Sequence, residues 1–216
     1  MSGRRTTHAL RCPKCKIHKS HCFCDKLVKH PTKTIVTFLM HHREEHLTSN
    51  TVNLGLMTLE NVEVFLRGLP EDPFQLEKLE IDTTKTTPLF LFPAEDAIDL
   101  TEENLQLLNP NNLPIRLIVP DGTWSQAKKV YRRDFVTNNT TGLKIPAVKL
   151  AVAVSGNYQL RKSPREDGLS TFEAVAHALS VTEKNPELTK DLLKMFTVMV
   201  ERMIKTRRNF HGKLED

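Results

Sequence analysis

Runs of strand length alternate with stretches of helical period along most of this chain, and that alternation narrows its fold more than any other feature. The strand-like runs are residues 34–40, 88–92, 115–119 and 147–154, each apolar and rich in β-branched or aromatic side chains. Helical patterns lie between them: residues 51–66, with Val52, Leu56, Leu59 and Val62 recurring on one face, then 102–108 and 125–135. Ser170-Thr171-Phe172-Glu173 reads as a capping box opening a helix through Ala174, Val175, Ala178 and Leu179. A last amphipathic helix sets Leu188, Leu192, Met195, Met199 and Met203 on its apolar side, the methionines as core filler, and leaves Lys194, Arg202, Lys205 and Arg207 outside. Strands joined through helices pair in parallel, and parallel strands need cover above and below. The pattern therefore predicts an α/β fold with a mostly parallel sheet and helices on both faces.

A chain of 216 residues is long enough for one substantial core, or one core with a small appended module. No segment approaches the roughly 18 consecutive apolar residues of a membrane helix. The basic N-terminal stretch lacks the apolar run of a signal peptide, so the expected compartment is a reducing cytoplasm. In that setting Cys12, Cys15, Cys22 and Cys24, which are all the cysteines of the chain, point to metal and not to disulfides. Four thiolates are the number that tetrahedral Zn²⁺ takes, with His18 and His21 available as substitutes. An iron–sulfur cluster or free thiols are the other readings. The expected division is a basic zinc knuckle over residues 1–33 and an α/β domain over 34–216.

Charge follows the same boundary. The net charge is +5, yet residues 1–34 hold nine Lys or Arg against Asp25 alone, so that segment carries +8 and the remainder nets −3. Such clustering suits a polyanion, because each phosphate neutralised releases counterions; the plainer reading is a solvated tail.

Pro120-Asp121-Gly122-Thr123-Trp124-Ser125-Gln126-Ala127-Lys128 places the chain's one tryptophan beside an acid and a glycine where a strand becomes a helix. Open α/β sheets bind ligands at the carboxyl ends of their strands, where Asp121 to Trp124 would lie. The alternative is purely structural: Ser125 caps the helix and Trp124 fills the core.

Asp121-Gly122-Thr123-Trp124 resembles the aspartate-x-threonine-tryptophan signature of the DTW-domain family, the tRNA-uridine aminocarboxypropyltransferases. The cysteine cluster, the stretch 45–53 containing Ser49-Asn50-Thr51, and Leu160-Arg161-Lys162 followed by Gly168-Leu169-Ser170-Thr171-Phe172-Glu173-Ala174 agree with that family in the same order. The resemblance spans residues 11–180. It implies a SPOUT-like, knotted fold with the cofactor among loops at the carboxyl ends of the strands. It also implies transfer of the 3-amino-3-carboxypropyl group of S-adenosylmethionine to N3 of a uridine in tRNA.

Roles follow from the same resemblance. Asp121 is the first choice for the base that takes the N3 proton, or else it holds the cofactor's amino group or sulfonium; Glu44, Glu45 and Glu173 are alternative bases. Leu91, Phe92 and Pro93 form a second cofactor loop, and Gly122, Thr123 and Trp124 complete the first. Trp124 stacks on adenine or a flipped uracil unless it packs in the core. Ser170 and Thr171 open a helix where a carboxylate can dock, unless Ser170 only caps. Lys128, Lys129, Arg132, Arg161 and Lys162 are the expected RNA contacts, with solvated surface as the alternative. A methyltransferase of the same fold and a non-catalytic zinc-knuckle RNA-binding protein are the rival functions.

Overall fold

The computed structural model describes residues 10–69, 71–137, 139, 141–151 and 169–211, the side chains of Thr137 and of 207–211 excepted. Six strands form one sheet: β1 (Ile35–His41), β2 (Val62–Arg67), β3 (Thr87–Leu91), β4 (Ile98–Leu100), β5 (Ile115–Asp121) and β6 (Ala147–Leu150). Their order is β2-β1-β5-β3-β6-β4, and every pairing among the described residues is parallel. The helices are α1 (Val52–Thr58), α2 (Glu102–Leu108), α3 (Trp124–Lys129), α4 (Thr171–Thr182) and α5 (Pro186–His211), and a π-helical segment (Val130–Thr137) continues α3.

Side chains alternate across the sheet, and the alternation builds two cores. Val36, Phe38, Leu117 and Val119 face one side, packed with Phe172, Val175, Phe196 and Met199 of α4 and α5. Leu39, Phe90 and Ile118 face the other, packed with Ala127, Val130 and Phe135 after the signature. Cover on both faces accounts for the burial of every residue of β5, in which Leu117, Ile118 and Val119 form the apolar centre and the charged Arg116 pairs with Glu63 on β2. Cys12, Cys15, Ile17 and Phe23 join the first core, so the cysteine segment and the sheet share one apolar interior.

Three elements differ from the sequence reading. The helix predicted over 51–66 stops at Thr58; Leu59 turns extended, and Val62, Val64 and Leu66 follow the period-2 alternation of edge strand β2. The period of 3.6 and the period of 2 share Val62, which let one pattern run into the other. β4 is three residues long and carries too short a pattern to read. The predicted helix 125–135 begins as α-helix and widens into π-helix at Val130, where Asp134 turns inward to pair with Arg67 at the end of β2. Residues 152–154 of the fourth predicted strand lie outside the described residues, as does the rest of the segment 152–168.

Candidate active site at the carboxyl ends of the central strands

β1 and β5 are neighbours, yet the chain leaves β1 toward β2 on one side and leaves β5 toward β6 on the other. Connections that part in this way open a crevice above the carboxyl ends of the two strands. Asp121 ends β5 in that crevice, in register with Met40 of β1.

Asp121 is 8% exposed, and two distant segments reach its carboxyl group. Thr171, at the start of α4, donates its hydroxyl to Oδ1 at 2.6 Å. Asn50, in the loop before α1, donates its amide to Oδ2 at 3.3 Å. Two neutral donors on two oxygens suit an ionised carboxylate, which only accepts. Thr51 joins the same cluster, its hydroxyl oxygen accepting the backbone N–H of Phe172 at 3.4 Å.

The predicted capping box at α4 is present. The Ser170 hydroxyl accepts from the Glu173 amide at 3.3 Å, and the Glu173 carboxylate accepts from the Ser170 amide at 2.8 Å. Glu173, among the alternative bases, is thereby engaged in capping. Since Thr171 serves Asp121 and the amides of Phe172 and Glu173 already have oxygen partners, this helix start holds the chain's own groups together.

At the start of α3 the cap is Thr123 and not Ser125. The Thr123 hydroxyl accepts from the Gln126 amide at 3.3 Å, and the Gln126 side chain accepts from the Thr123 amide at 2.6 Å. Thr123-x-x-Gln126 is itself a capping box, a signal legible in the sequence but overshadowed by the serine two residues on. Gly122 has φ +143°, a backbone that calls for glycine, and a Cβ there would lie 2.6 Å from the Gln126 side-chain oxygen and push it from its cap.

Trp124 does not fill the core. It is 41% exposed and rests against Phe92, the ring centroids 5.1 Å apart and tilted by 35°. Phe92 is buried just beyond β3, with Leu91 buried before it and Pro93 exposed after it, so the two expected cofactor loops touch through these rings. Tyr131 packs on Phe92 at 5.9 Å and donates its hydroxyl to Asp96. Burial and the Asp96 carboxylate push the Tyr131 phenol up to about 12, so it stays a neutral donor. An aromatic face open to solvent beside a buried carboxylate can take a flat ring and present it to an acceptor.

Lys128, Lys129 and Arg132 are exposed along the turns after Trp124. Arg161 and Lys162 lie outside the described residues, as do Arg165 and the side chain of Arg207.

The cysteines form a second cluster. Cys12 and Cys15 sit on a hairpin closed by the Arg11–His18 bridge, with Lys16 at φ 60° making the turn. All four Sγ atoms lie within 4.8 Å of one another, with Cys12–Cys24 at 3.7 Å and Cys15–Cys22 at 3.8 Å. A tetrahedron with Zn–S bonds of ~2.3 Å has edges of about 3.8 Å, so the donor set fits that ion. Burial raises the Cys12 thiol, but hydrogen bonds from the backbone of Cys15 and Lys14 and from the Cys22 and Cys24 thiols together outweigh it and bring it to about 7. Burial, then the neighbouring thiols, push Cys24 up.

No helix among the described residues is long and apolar enough to cross a membrane. Compared with known proteins, the chain matches the DTW domain model over residues 9–204. It is 29% identical over 189 residues to tRNA-uridine aminocarboxypropyltransferase 2 of Drosophila melanogaster, covering 85% of this chain and 71% of that protein. It is 30% identical over 190 residues to tRNA-uridine aminocarboxypropyltransferase 2 of Macaca fascicularis, covering 85% of this chain and 60% of that one. Among solved structures, the SAM-dependent rRNA:acp-transferase Tsr3 from Vulcanisaeta distributa is similar with a TM-score of 0.45 and 16% identity, over 82% of this chain and 81% of that one. With the signature at the carboxyl end of β5 and a family match spanning both polar clusters, the chain belongs to the DTW domain family.

Proposed function

We propose that this chain is a tRNA-uridine aminocarboxypropyltransferase, moving the 3-amino-3-carboxypropyl group of S-adenosylmethionine to N3 of a uridine in tRNA. The observation that carries this reading is a buried, doubly hydrogen-bonded Asp121 three residues before the exposed Trp124, whose ring is backed by the buried Phe92. The names of its relatives support the same reaction.

S-adenosylmethionine supplies a sulfonium that activates each attached carbon, and departure of methylthioadenosine leaves the C–S electron pair on sulfur. The residues determine which carbon is presented. Trp124 and Phe92, with Leu91, Pro93, Gly122 and Thr123 around them, form the wall against which the adenosine lies, and orientation within near-attack distance selects the product. Asp121 accepts the imide proton as N3 bonds to carbon, a role in which its fixed oxygens meet the nucleophile without reorganisation. Thr171 and Ser170 hold the first turn of α4 against that carboxylate. Lys128, Lys129 and Arg132 continue from Trp124 as the backbone grip on tRNA, with Arg161 and Lys162 assigned to the same task from sequence. Zn²⁺ is the structural ion we assign to Cys12, Cys15, Cys22 and Cys24, in a protein of the cytoplasm.

The deciding experiment incubates the protein with bulk tRNA and S-adenosylmethionine labelled either in the methyl or in the aminocarboxypropyl carbons. Only the second label should reach RNA. Methyl label in RNA would replace this reading with methyl transfer, and neither label would leave a binding protein.

A further inference from the structure

Asn50 makes more contacts than the start of a helix requires. Its side-chain oxygen accepts the backbone N–H of Val52 at 2.7 Å, and because that group only donates, the orientation of the amide is fixed. The amide nitrogen must then face the other way. There it donates to the Glu44 carbonyl at 3.0 Å and to Asp121 Oδ2 at 3.3 Å, with the Met40 sulfur also at 3.0 Å. The residue is 3% exposed, so turning the amide over would strand buried donors and acceptors at about 1–3 kcal/mol each. Thr171 holds the opposite oxygen of Asp121, which leaves the plane of the carboxylate little freedom to rotate.

We infer that Asn50 is a positioning residue, whose amide locks the Asp121 carboxylate in the orientation in which it meets the reacting imide. The inference rests on the reading of Asp121 as the proton acceptor. Asn50 acts through Asp121 as a donor, so a side chain that keeps its shape but reverses its polarity fails in the role. Titratable and charged groups on the surrounding elements are His41 on β1, His42, Arg43, Glu44, Glu45 and His46 in the loop after it, Arg116 on β5, Glu173 and His177 on α4, and Lys128 and Lys129 on α3. The hydrogen bond to Oδ2 comes from Asn50, a neutral amide that does not titrate.

Asn50→Asp is the test, because it keeps an acceptor for Val52 and replaces the donor with a second carboxylate. In full-length protein with tRNA and S-adenosylmethionine, kcat should fall about 10²-fold, the scale of a misplaced catalytic group. Two carboxylates competing for one proton raise the pH at which the base becomes free, so the acid limb of the rate profile should move up by about one unit. Parental kcat with an unmoved acid limb would overturn the inference, and so would a loss confined to KM for S-adenosylmethionine, which would make Asn50 a pocket wall. Asn50→Ser, whose short hydroxyl can still accept the Val52 N–H but does not reach Asp121, decides the question if the aspartate variant fails to fold: kcat should drop, and parental kcat refutes. Asp121→Asn runs alongside. If it retains turnover, the reading of Asp121 fails; if it is inactive while Asn50→Asp keeps parental kcat and profile, only the positioning role fails.

Discussion

The cysteine cluster draws its four side chains from one short stretch, whereas the Asp121 network draws Asn50, Asp121 and Thr171 from segments 71 and 50 residues apart. The distant assembly is nevertheless the one that is complete in the chain alone, since each oxygen of Asp121 already has a donor. The local assembly brings four thiols within 4.8 Å, and thiolates that close repel one another unless a cation sits among them. One site is preorganised by the fold, and the other, on the proposal that it holds Zn²⁺, is completed only when that ion joins it. The reacting centre should therefore tolerate loss of its ligands, and the knuckle should not.

The largest effect should come from the preorganised side. Asp121→Asn keeps the shape of the crevice and removes the proposed proton acceptor, so turnover should fall about 10²- to 10⁴-fold while S-adenosylmethionine and tRNA still bind. Single-turnover transfer of the aminocarboxypropyl label, read beside calorimetric binding, separates the two. Lost binding with normal residual chemistry would make Asp121 a cofactor ligand and break the contrast.

Removing the ion tests the other side. Because Ile17 and Phe23 are buried in the same cluster as Phe172, Phe196 and Met199, chelation or Cys15→Ser should loosen α5 as well as the hairpin. A loss of about 3 kcal/mol corresponds to a fall of about 10 °C in melting midpoint for a chain of this size. Scanning calorimetry with metal content measured on the same sample checks it, and an unchanged midpoint with zinc released would make the knuckle an independent module.

The sequence was most legible where signals are local. The capping box at Ser170, helix α2 and the Cys-x-x-Cys with Cys-x-Cys spacing each lie within a few residues, and each is found where the pattern places it. The end of the first helix was lost because Val62 satisfies both periods. The exposure of Trp124 was not legible, since an aromatic reads the same whether it faces core or crevice; Phe92, 32 residues earlier, decides it by filling the space beneath. The Asn50–Asp121 contact has no local trace at all. Family resemblance placed both segments in one enzyme, but only the parallel pairing of β1 with β5 brings them within reach.

Trp124 sharpens the comparison at intermediate scale. Being 41% exposed, it should contribute little to stability, and Trp124→Ala should shift the melting midpoint by a few degrees at most. Stacking on a base contributes about 1–3 kcal/mol, so affinity for S-adenosylmethionine or for tRNA should drop about tenfold. Titrating each ligand separately identifies which ring the tryptophan carries. Unchanged affinity for both would return it to a structural role.

The smallest effect should be at the rim, where neither preorganisation nor metal is at stake. Lys128 and Lys129 are exposed, and removing one phosphate contact lowers the slope of log affinity against log salt by ~0.7–0.9. Lys128→Ala with Lys129→Ala should therefore weaken tRNA binding severalfold at moderate salt, flatten the salt dependence by between one and two contacts, and leave kcat at saturating tRNA near its parental value. The same substitutions should leave the affinity for S-adenosylmethionine unchanged, because the proposed cofactor wall is made of aromatic rings and backbone and not of these ammonium groups. An unaltered salt slope would show that RNA crosses the crevice elsewhere and would move the grip on tRNA to the basic cysteine segment, joining the two clusters in one footprint.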